Sequence, residues 1–255
     1  MEGEKQAGVK VMGTRRETSH GRIVLFIGAP GSGKGTQSSL LASRLGIACI
    51  STGSILREEA KRNTPEGFRL RQTMSTGALV DDATVCETVV SRIGDSYGRA
   101  VDPARGLILD GFPRTVGQAR RLDRMLETLG APGPLVLHLD VPNDVLLRRL
   151  VRRRQCAKCG AIYSLASRPV GGSRCQLDGG ALVERDDDSE GVVAQRIATW
   201  EAETIPVVDY YKAEHYRNHD LRTGIYRRLD GNLGAEDVAK DVCNIVLFAD
   251  TALAA

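Results

Sequence analysis

The stretch Gly28-Ala-Pro-Gly-Ser-Gly-Lys-Gly-Thr36 decides the fold. The apolar run at 23–27, Ile-Val-Leu-Phe-Ile, reads as a buried strand that feeds it. Helical spacing follows at 36–45 and stops near Gly46. A strand that turns on glycines into a helix gathers backbone N–H groups around an anion, and the helix N-terminus adds favourable dipole charge. Lys34 is placed to reach the outer phosphates of a polyphosphate. Gly31, Ser32, Gly33, Lys34, Gly35 and Thr36 are therefore candidate phosphate-binding residues. Gly35 directly follows the lysine, where the general form of this loop carries a hydroxyl for magnesium, and Thr36 comes one place later. That shift points to a subfamily of such loops.

Outward from the loop, strands are expected at 47–50, 107–109, 135–139 and 225–229. Helices are expected at 54–62 and 68–76, broken at Pro65, and then at 82–93, 115–129, 143–154, 189–218 with a bend near Pro206, and 235–248. Strands alternating with helices imply an α/β fold, with five parallel strands covered by helices on both faces. Residues 155–188 differ in character. They hold clustered cysteines, two Gly-Gly pairs and little helical periodicity, and read as an inserted module.

The chain has 255 residues, 42% apolar and 26% charged, as in an ordinary globular enzyme. A net charge of +3 does not suggest nucleic-acid binding. Arg148, Arg149, Arg152, Arg153 and Arg154 nevertheless crowd one stretch, which reads as a solvated helix face or as a site for a strongly anionic ligand. No run is long enough to span a membrane. Residues 1–21 lack an apolar segment, carry Glu2, Glu4 and Glu17, and read as a disordered extension rather than a targeting signal. A cytoplasmic protein is the expectation. Of the six cysteines, Cys49, Cys86 and Cys243 fall in apolar or helical contexts and read as buried thiols.

Further segments extend the reading in order: Ser51-Thr-Gly-Ser-Ile-Leu-Arg57, Gly77-Ala-Leu-Val80, Leu109-Asp-Gly-Phe-Pro-Arg-Thr115 with Gln118, Arg149 with Arg153, Arg185-Asp-Asp-Asp188, and Arg196. Together with the loop, they make the chain resemble the adenylate kinases, within the nucleoside monophosphate kinases, from about residue 21 to the C-terminus. The resemblance implies a P-loop kinase that transfers a phosphoryl group reversibly, ATP + AMP to two ADP, with magnesium on the ATP, acting as a monomer. It implies a core at 22–50, 81–151 and 189–255, an AMP-binding insertion at 51–80 and a lid at 152–188.

By the same resemblance, Lys34 and the loop hold the ATP phosphates. Arg57 and Arg114 hold the AMP phosphate, and Arg153, Arg185 and Arg196 close over the transferring group. Arg149, Ile162, Tyr163 and Leu233 flank the ATP base and ribose. Thr52, Ala78, Leu79, Val80, Gly111, Phe112, Pro113 and Gln118 form the AMP pocket. Arginine suits such a site because its planar fork binds phosphate oxygens in pairs. Asp110, at the end of a buried strand, is assigned to water-mediated magnesium coordination. Ser54 stands where the family usually has an Asp beside this network. Two other readings remain open: a kinase for another nucleoside monophosphate, and a non-catalytic nucleotide or zinc sensor.

Cys156-Ala-Lys-Cys159 and Cys175-Gln-Leu-Asp178 are a CxxC and a CxxD. Two such short loops can each turn two ligands toward one tetrahedral ion. The module contains no histidine, so Asp178 is the natural fourth ligand. A closed set of this kind points to structural zinc, which supplies the cohesion that so short a segment cannot draw from a hydrophobic core. It resembles the zinc-bearing lid of some bacterial adenylate kinases. Hinges are expected near Arg153 and Arg185.

Overall fold

The computed structural model describes residues 21–99, 106–128, 131–165, 174–218 and 224–254. Residues 1–20, most of the expected disordered extension, lie outside the described residues, as does the last residue of the helix expected at 115–129.

Five parallel strands form the main sheet: β1 (Ile23–Gly28), β2 (Ala48–Ser51), β3 (Leu107–Asp110), β4 (Leu135–Asp140) and β8 (Ile225–Asp230). Their order is β2-β3-β1-β4-β8, which puts the strand before the glycine loop in the centre. The alternation of side chains explains why these strands read as unbroken apolar runs. Ile23, Leu25, Ile27, Leu107 and Leu109 face one buried cluster. Val24, Phe26, Ile108, Leu135, Leu137 and Leu139 face another on the opposite side.

Helices cover both faces. α1 (Lys34–Leu45) and α9 (Ala235–Ala254) cover the second cluster through Leu41, Val238, Val242 and Val246. α2 (Thr52–Ala60), α3 (Pro65–Ser75), α4 (Asp82–Arg99), α5 (Val116–Thr128) and α8 (Ile205–Asn218) bury Leu56, Leu70, Val89, Leu122 and Val207 against the first. α1 ends where Gly46 takes a left-handed conformation and returns its N–H to Ala42 O at 2.9 Å. Among the described residues, no helix is long and apolar enough to cross a membrane.

Four expectations change. Pro65 does not break a helix but opens one: it occupies the first turn of α3, where its missing N–H is no loss, and Thr64 caps the end by accepting from Gly67 N at 3.0 Å. The helix expected at 143–154 ends at Val151, as α6 (Asn143–Val151). Its last residues enter β5 (Arg153–Cys156), which pairs antiparallel with β6 (Ile162–Ser164) and β7 (Leu182–Val183). Tertiary pairing has overridden local propensity there. The helix expected at 189–218 is α7 (Glu190–Thr199), a π-helical stretch Trp200–Thr204 and then α8. Pro206 has no N–H to give the carbonyl four residues back, and the chain widens into a π-helical turn just before it. Cys86 is buried as expected, but Cys49 is exposed on edge strand β2 and Cys243 is half-buried.

Candidate active site

The carboxyl ends of β1, β2 and β3 open into one cleft of about 1060 Å³. That is at the upper end of the ~300–1,000 Å³ typical of a single-ligand pocket, so it has room for two nucleotides. Open α/β sheets place ligands at this edge.

The floor is the glycine loop. Gly31 and Gly33 take φ of +85° and +99°, conformations that side chains rarely adopt. A Cβ on Gly28 would stand 2.7 Å from Leu139 O, so the loop leaves no room for one. Lys34 Nζ donates to Gly28 O at 2.5 Å and Ala29 O at 2.9 Å, which folds the ammonium back over the loop. Desolvation at the cleft floor pulls its pKa down to about 7, against the opposing pull of Asp110 and with the help of Arg114 and Arg196. Asp110 ends β3 beside the loop: a Cβ on Gly35 would lie 3.5 Å from its Oδ2. Ser51 Oγ donates to Asp110 Oδ2 at 3.1 Å, and Thr52 Oγ1 donates to Asp110 O at 3.2 Å.

Arg57 and Arg114 face the loop. Arg57 Nη2 donates to Ser54 Oγ at 3.4 Å, and Arg114 Nε to Gly111 O at 3.0 Å. Desolvation, then repulsion from Arg185, brings Arg57 down to about 9. Arg114 is lowered for the same first reason, with Asp110 opposing. Both remain charged at neutral pH, and so many cations around one space make a strong anion trap.

Arg153, Arg185 and Arg196 reach the cleft from the other side. The turn Asp186–Asp188 holds them. Arg153 donates Nε to Asp188 Oδ2 at 2.7 Å and Nη2 to Asp188 Oδ1. Arg185 donates Nε and Nη2 to the two oxygens of Asp187 at 2.8 and 2.6 Å. Arg196 Nη1 donates to Asp187 O at 2.7 Å and Asp188 Oδ1 at 2.8 Å. Burial alone would raise the Asp187 pKa, but Arg196 and Arg185 outweigh it and hold the carboxyl below its usual range.

The cleft brings together nearly every residue expected from sequence. Gly31 through Thr36, Thr52, Arg57, Ala78, Leu79, Val80, Asp110, Gly111, Pro113, Arg114, Gln118, Arg149, Ile162, Tyr163 and Leu233 all line it. Arg149 is fixed by donating to Gly231 O at 2.9 Å. Phe112 is the correction. It is 3% exposed and packs in the core cluster with Leu109 and Ala119, so it anchors the segment rather than lining the cleft. Sequence reasoning missed Asp187 and Asp188 as holders of the arginines, although both lay inside a quoted motif. It also missed Asp82, whose carboxylate accepts from Gln118 Nε2 and Thr115 Oγ1, each at 2.8 Å.

The cysteine module gathers Cys156, Cys159, Cys175 and Asp178, with one ligand atom from each, all within 4.8 Å of one another. Cys159 Sγ lies 3.6 Å from Cys175 Sγ, and Cys156 Sγ lies 3.3 Å from Asp178 Oδ1. A tetrahedron with metal–sulfur bonds of ~2.3 Å has edges of about 3.8 Å, so the set is close to the size a zinc ion demands. Lys158 N and Cys159 N donate to Cys156 Sγ at 3.3 and 3.4 Å, and Leu177 N donates to Cys175 Sγ at 3.4 Å. Such N–H groups favour thiolates and orient them as ligands. The residues present fit the ion.

Residues 26–216 match the family model described as adenylate kinase. Among similar curated proteins, the adenylate kinase of Thermodesulfovibrio yellowstonii is 39% identical over 88% of this chain and 98% of its own. That of Caldicellulosiruptor bescii is 42% identical over 75% and 87%, and that of Nitrosococcus oceani 39% over 89% and 98%. The family model spans most of the chain and these relatives are matched over nearly their whole length, and the chain belongs to the adenylate kinase family.

Proposed function

We propose that this chain catalyses ATP + AMP = 2 ADP by direct transfer between two nucleotides bound in the one cleft. The observation that carries the reading is the set of Lys34, Arg57, Arg114, Arg153, Arg185 and Arg196, all lining that one cleft. Phosphoryl transfer asks little covalent chemistry of a protein and much positioning and neutralisation. Lys34 and the loop N–H groups hold the donor phosphates. Arg57 and Arg114 hold the acceptor phosphate in line with them. Arg153, Arg185 and Arg196 take up the charge that spreads over the transferring oxygens. Arg149, Ile162, Tyr163 and Leu233 seat the donor base and ribose, while Thr52, Ala78, Leu79, Val80 and Gln118 seat the acceptor.

Residues 51–80 act as the acceptor-binding insertion and residues 152–188 as the lid, on a core of 22–50, 81–151 and 189–255. By covering the cleft, the lid excludes water that would compete with AMP as acceptor. Asp110, steadied by Ser51, would hold magnesium through water, and the metal when bound neutralises charge on the phosphates. Cys156, Cys159, Cys175 and Asp178 would hold structural zinc, which replaces a hydrophobic core for the lid. The protein is taken to act as a cytoplasmic monomer.

A coupled assay with ATP against AMP, CMP, UMP and GMP tests the reading. AMP should turn over fastest, and faster turnover of CMP or UMP would overturn it. Metal analysis of protein purified without added zinc should give close to one zinc per chain; a ratio near zero would remove zinc from the proposal.

A further inference from the structure

We propose that Asp82 is a positioning residue that sets which purines the acceptor pocket accepts, by fixing the orientation of the Gln118 side-chain amide. The inference rests on the reading above, in which Gln118 faces the acceptor base.

A glutamine amide can sit either way round, and the two orientations present opposite faces to a ligand. Here two independent contacts select one. Gln118 Nε2 lies 2.8 Å from Asp82 Oδ1, and an ionised carboxylate only accepts. Gln118 Oε1 lies 2.8 Å from Arg114 N, and a backbone N–H only donates. Turning the amide over would set oxygen against carboxylate and N–H against N–H. Thr115 completes the frame. Its hydroxyl spends its one proton on Asp82 Oδ2 at 2.8 Å and accepts from Gln118 N at 3.2 Å, so the carboxylate is itself held in place. Gly117 leaves room for it: a Cβ there would stand 2.8 Å from Asp82 Oδ2.

Asp82 itself is not among the residues that line the cleft, whereas Gln118 is. Asp82 therefore acts through the amide. Held this way, Gln118 has one lone pair on Oε1 and one N–H on Nε2 left for a ligand, in a fixed order. A purine with a 6-amino group and an unprotonated N1 offers the matching donor and acceptor. A 6-oxo purine, with a proton on N1, offers the reverse and matches only the flipped amide. A site built this way rejects the wrong pattern because its buried groups are left unpaired.

The test compares AMP with inosine monophosphate, which differ only in that pattern, as acceptors for the intact enzyme. Asp82→Asn lets the partner both donate and accept, so one of the two contacts that select the orientation is lost and only Arg114 N still opposes turning. The ratio of kcat/KM for AMP over inosine monophosphate should fall by about tenfold or more. Gly117→Ala, which displaces the carboxylate without changing its chemistry, should move the ratio the same way by a smaller factor. In a Gln118→Ala background, Asp82→Asn should leave the ratio where Gln118→Ala put it. A merely structural Asp82 would lower turnover of both acceptors in proportion, and an unchanged ratio in Asp82→Asn and Gly117→Ala overturns the inference. So does a shift that persists without Gln118. If the parent enzyme already fails to favour AMP over inosine monophosphate, it is the assignment of Gln118 to the acceptor base that falls, and the inference with it.

Discussion

Two walls of the cleft carry positive charge, and they hold it differently. On the core and acceptor side, Lys34, Arg57 and Arg114 rest on neutral oxygens: Gly28 O and Ala29 O, Ser54 Oγ, and Gly111 O. On the other side, Arg153 and Arg185 of the lid, with Arg196 of the adjoining core helix, rest on the carboxylates of Asp187 and Asp188. Desolvation lowers Lys34 to about 7 and Arg57 to about 9 on the first wall, and Arg196 less far, to about 10, on the second. The second carries its own counterions. The physical lesson is that a fixed wall can keep its cations short of partners, because phosphate will supply them. A segment that travels benefits from charges already paired, since unpaired cations would repel it from the wall it closes on.

The largest effect to expect is on the first wall. Lys34→Met should lower kcat by about a thousandfold, the scale seen when a preorganised charge on a transferring group is removed. It should not lower the melting temperature of the nucleotide-free protein, because the group lost is a desolvated cation. The same desolvation predicts a proton signal. Between pH 7 and 10.5 Lys34 is largely neutral without nucleotide, and bound phosphate restores its charge. ADP binding should therefore take up about one proton in that window, measured by calorimetry in buffers of different ionisation enthalpy. Lys34→Met should abolish the uptake. A parent enzyme with no uptake would show that Lys34 is not lowered in this way.

The lid wall should respond in the opposite sense. Asp188 is fully buried and bridges Arg153 and Arg196. Asp188→Asn keeps the shape but leaves two half-buried guanidiniums around a neutral amide. Breaking a buried pair in this way costs about 3 kcal/mol. Hydrogen exchange should speed up locally in residues 152–188, and kcat should fall by about ten- to a hundredfold as the arginines lose their aim. If Asp188→Asn were as stable as the parent, the carboxylates would be incidental and the two walls alike.

These walls were unequally legible in the sequence. The glycine loop, Asp110 and the cysteine spacing are local patterns, and the chemistry follows from residues a few positions apart. The central strands were legible because burial on both faces requires continuous apolar runs. Asp187 and Asp188 lay in a polar run, and an acid in such a run reads as solvated until its arginine partners at 153 and 196 are seen in space. Asp82 and Gln118 are 36 residues apart, and nothing local announces the bond between them. Arg153 and Arg154 are good helix formers, yet pairing with Ile162–Ser164 drew them into a strand. Phe112 was assigned to the cleft because its neighbours belong there, but an aromatic ring between Gly111 and Pro113 gained more from the core.

The smallest effect should come from making the first wall resemble the second. Ser54 Oγ accepts from Arg57 and lies 3.1 Å from Ser51 Oγ, which in turn donates to Asp110. A hydroxyl chain thus links the acceptor-side arginine to the carboxylate beside the loop. Ser54→Asp would give Arg57 a carboxylate of its own and place a second negative charge near Asp110. The new carboxylate would stand at an exposed position beside a half-buried Arg57, so the pair is worth about 1 kcal/mol and the change in AMP binding is small. KM for AMP should rise about two- to fourfold, since phosphate then competes with an internal partner, and turnover should persist. The enzyme should also hold magnesium more tightly, read as Mn²⁺ affinity by electron paramagnetic resonance. Loss of turnover would mean that the site is built around serine, with the neutral wall a requirement of the chemistry. An unchanged KM for AMP would mean that Arg57 does not meet the acceptor phosphate as an unpaired cation.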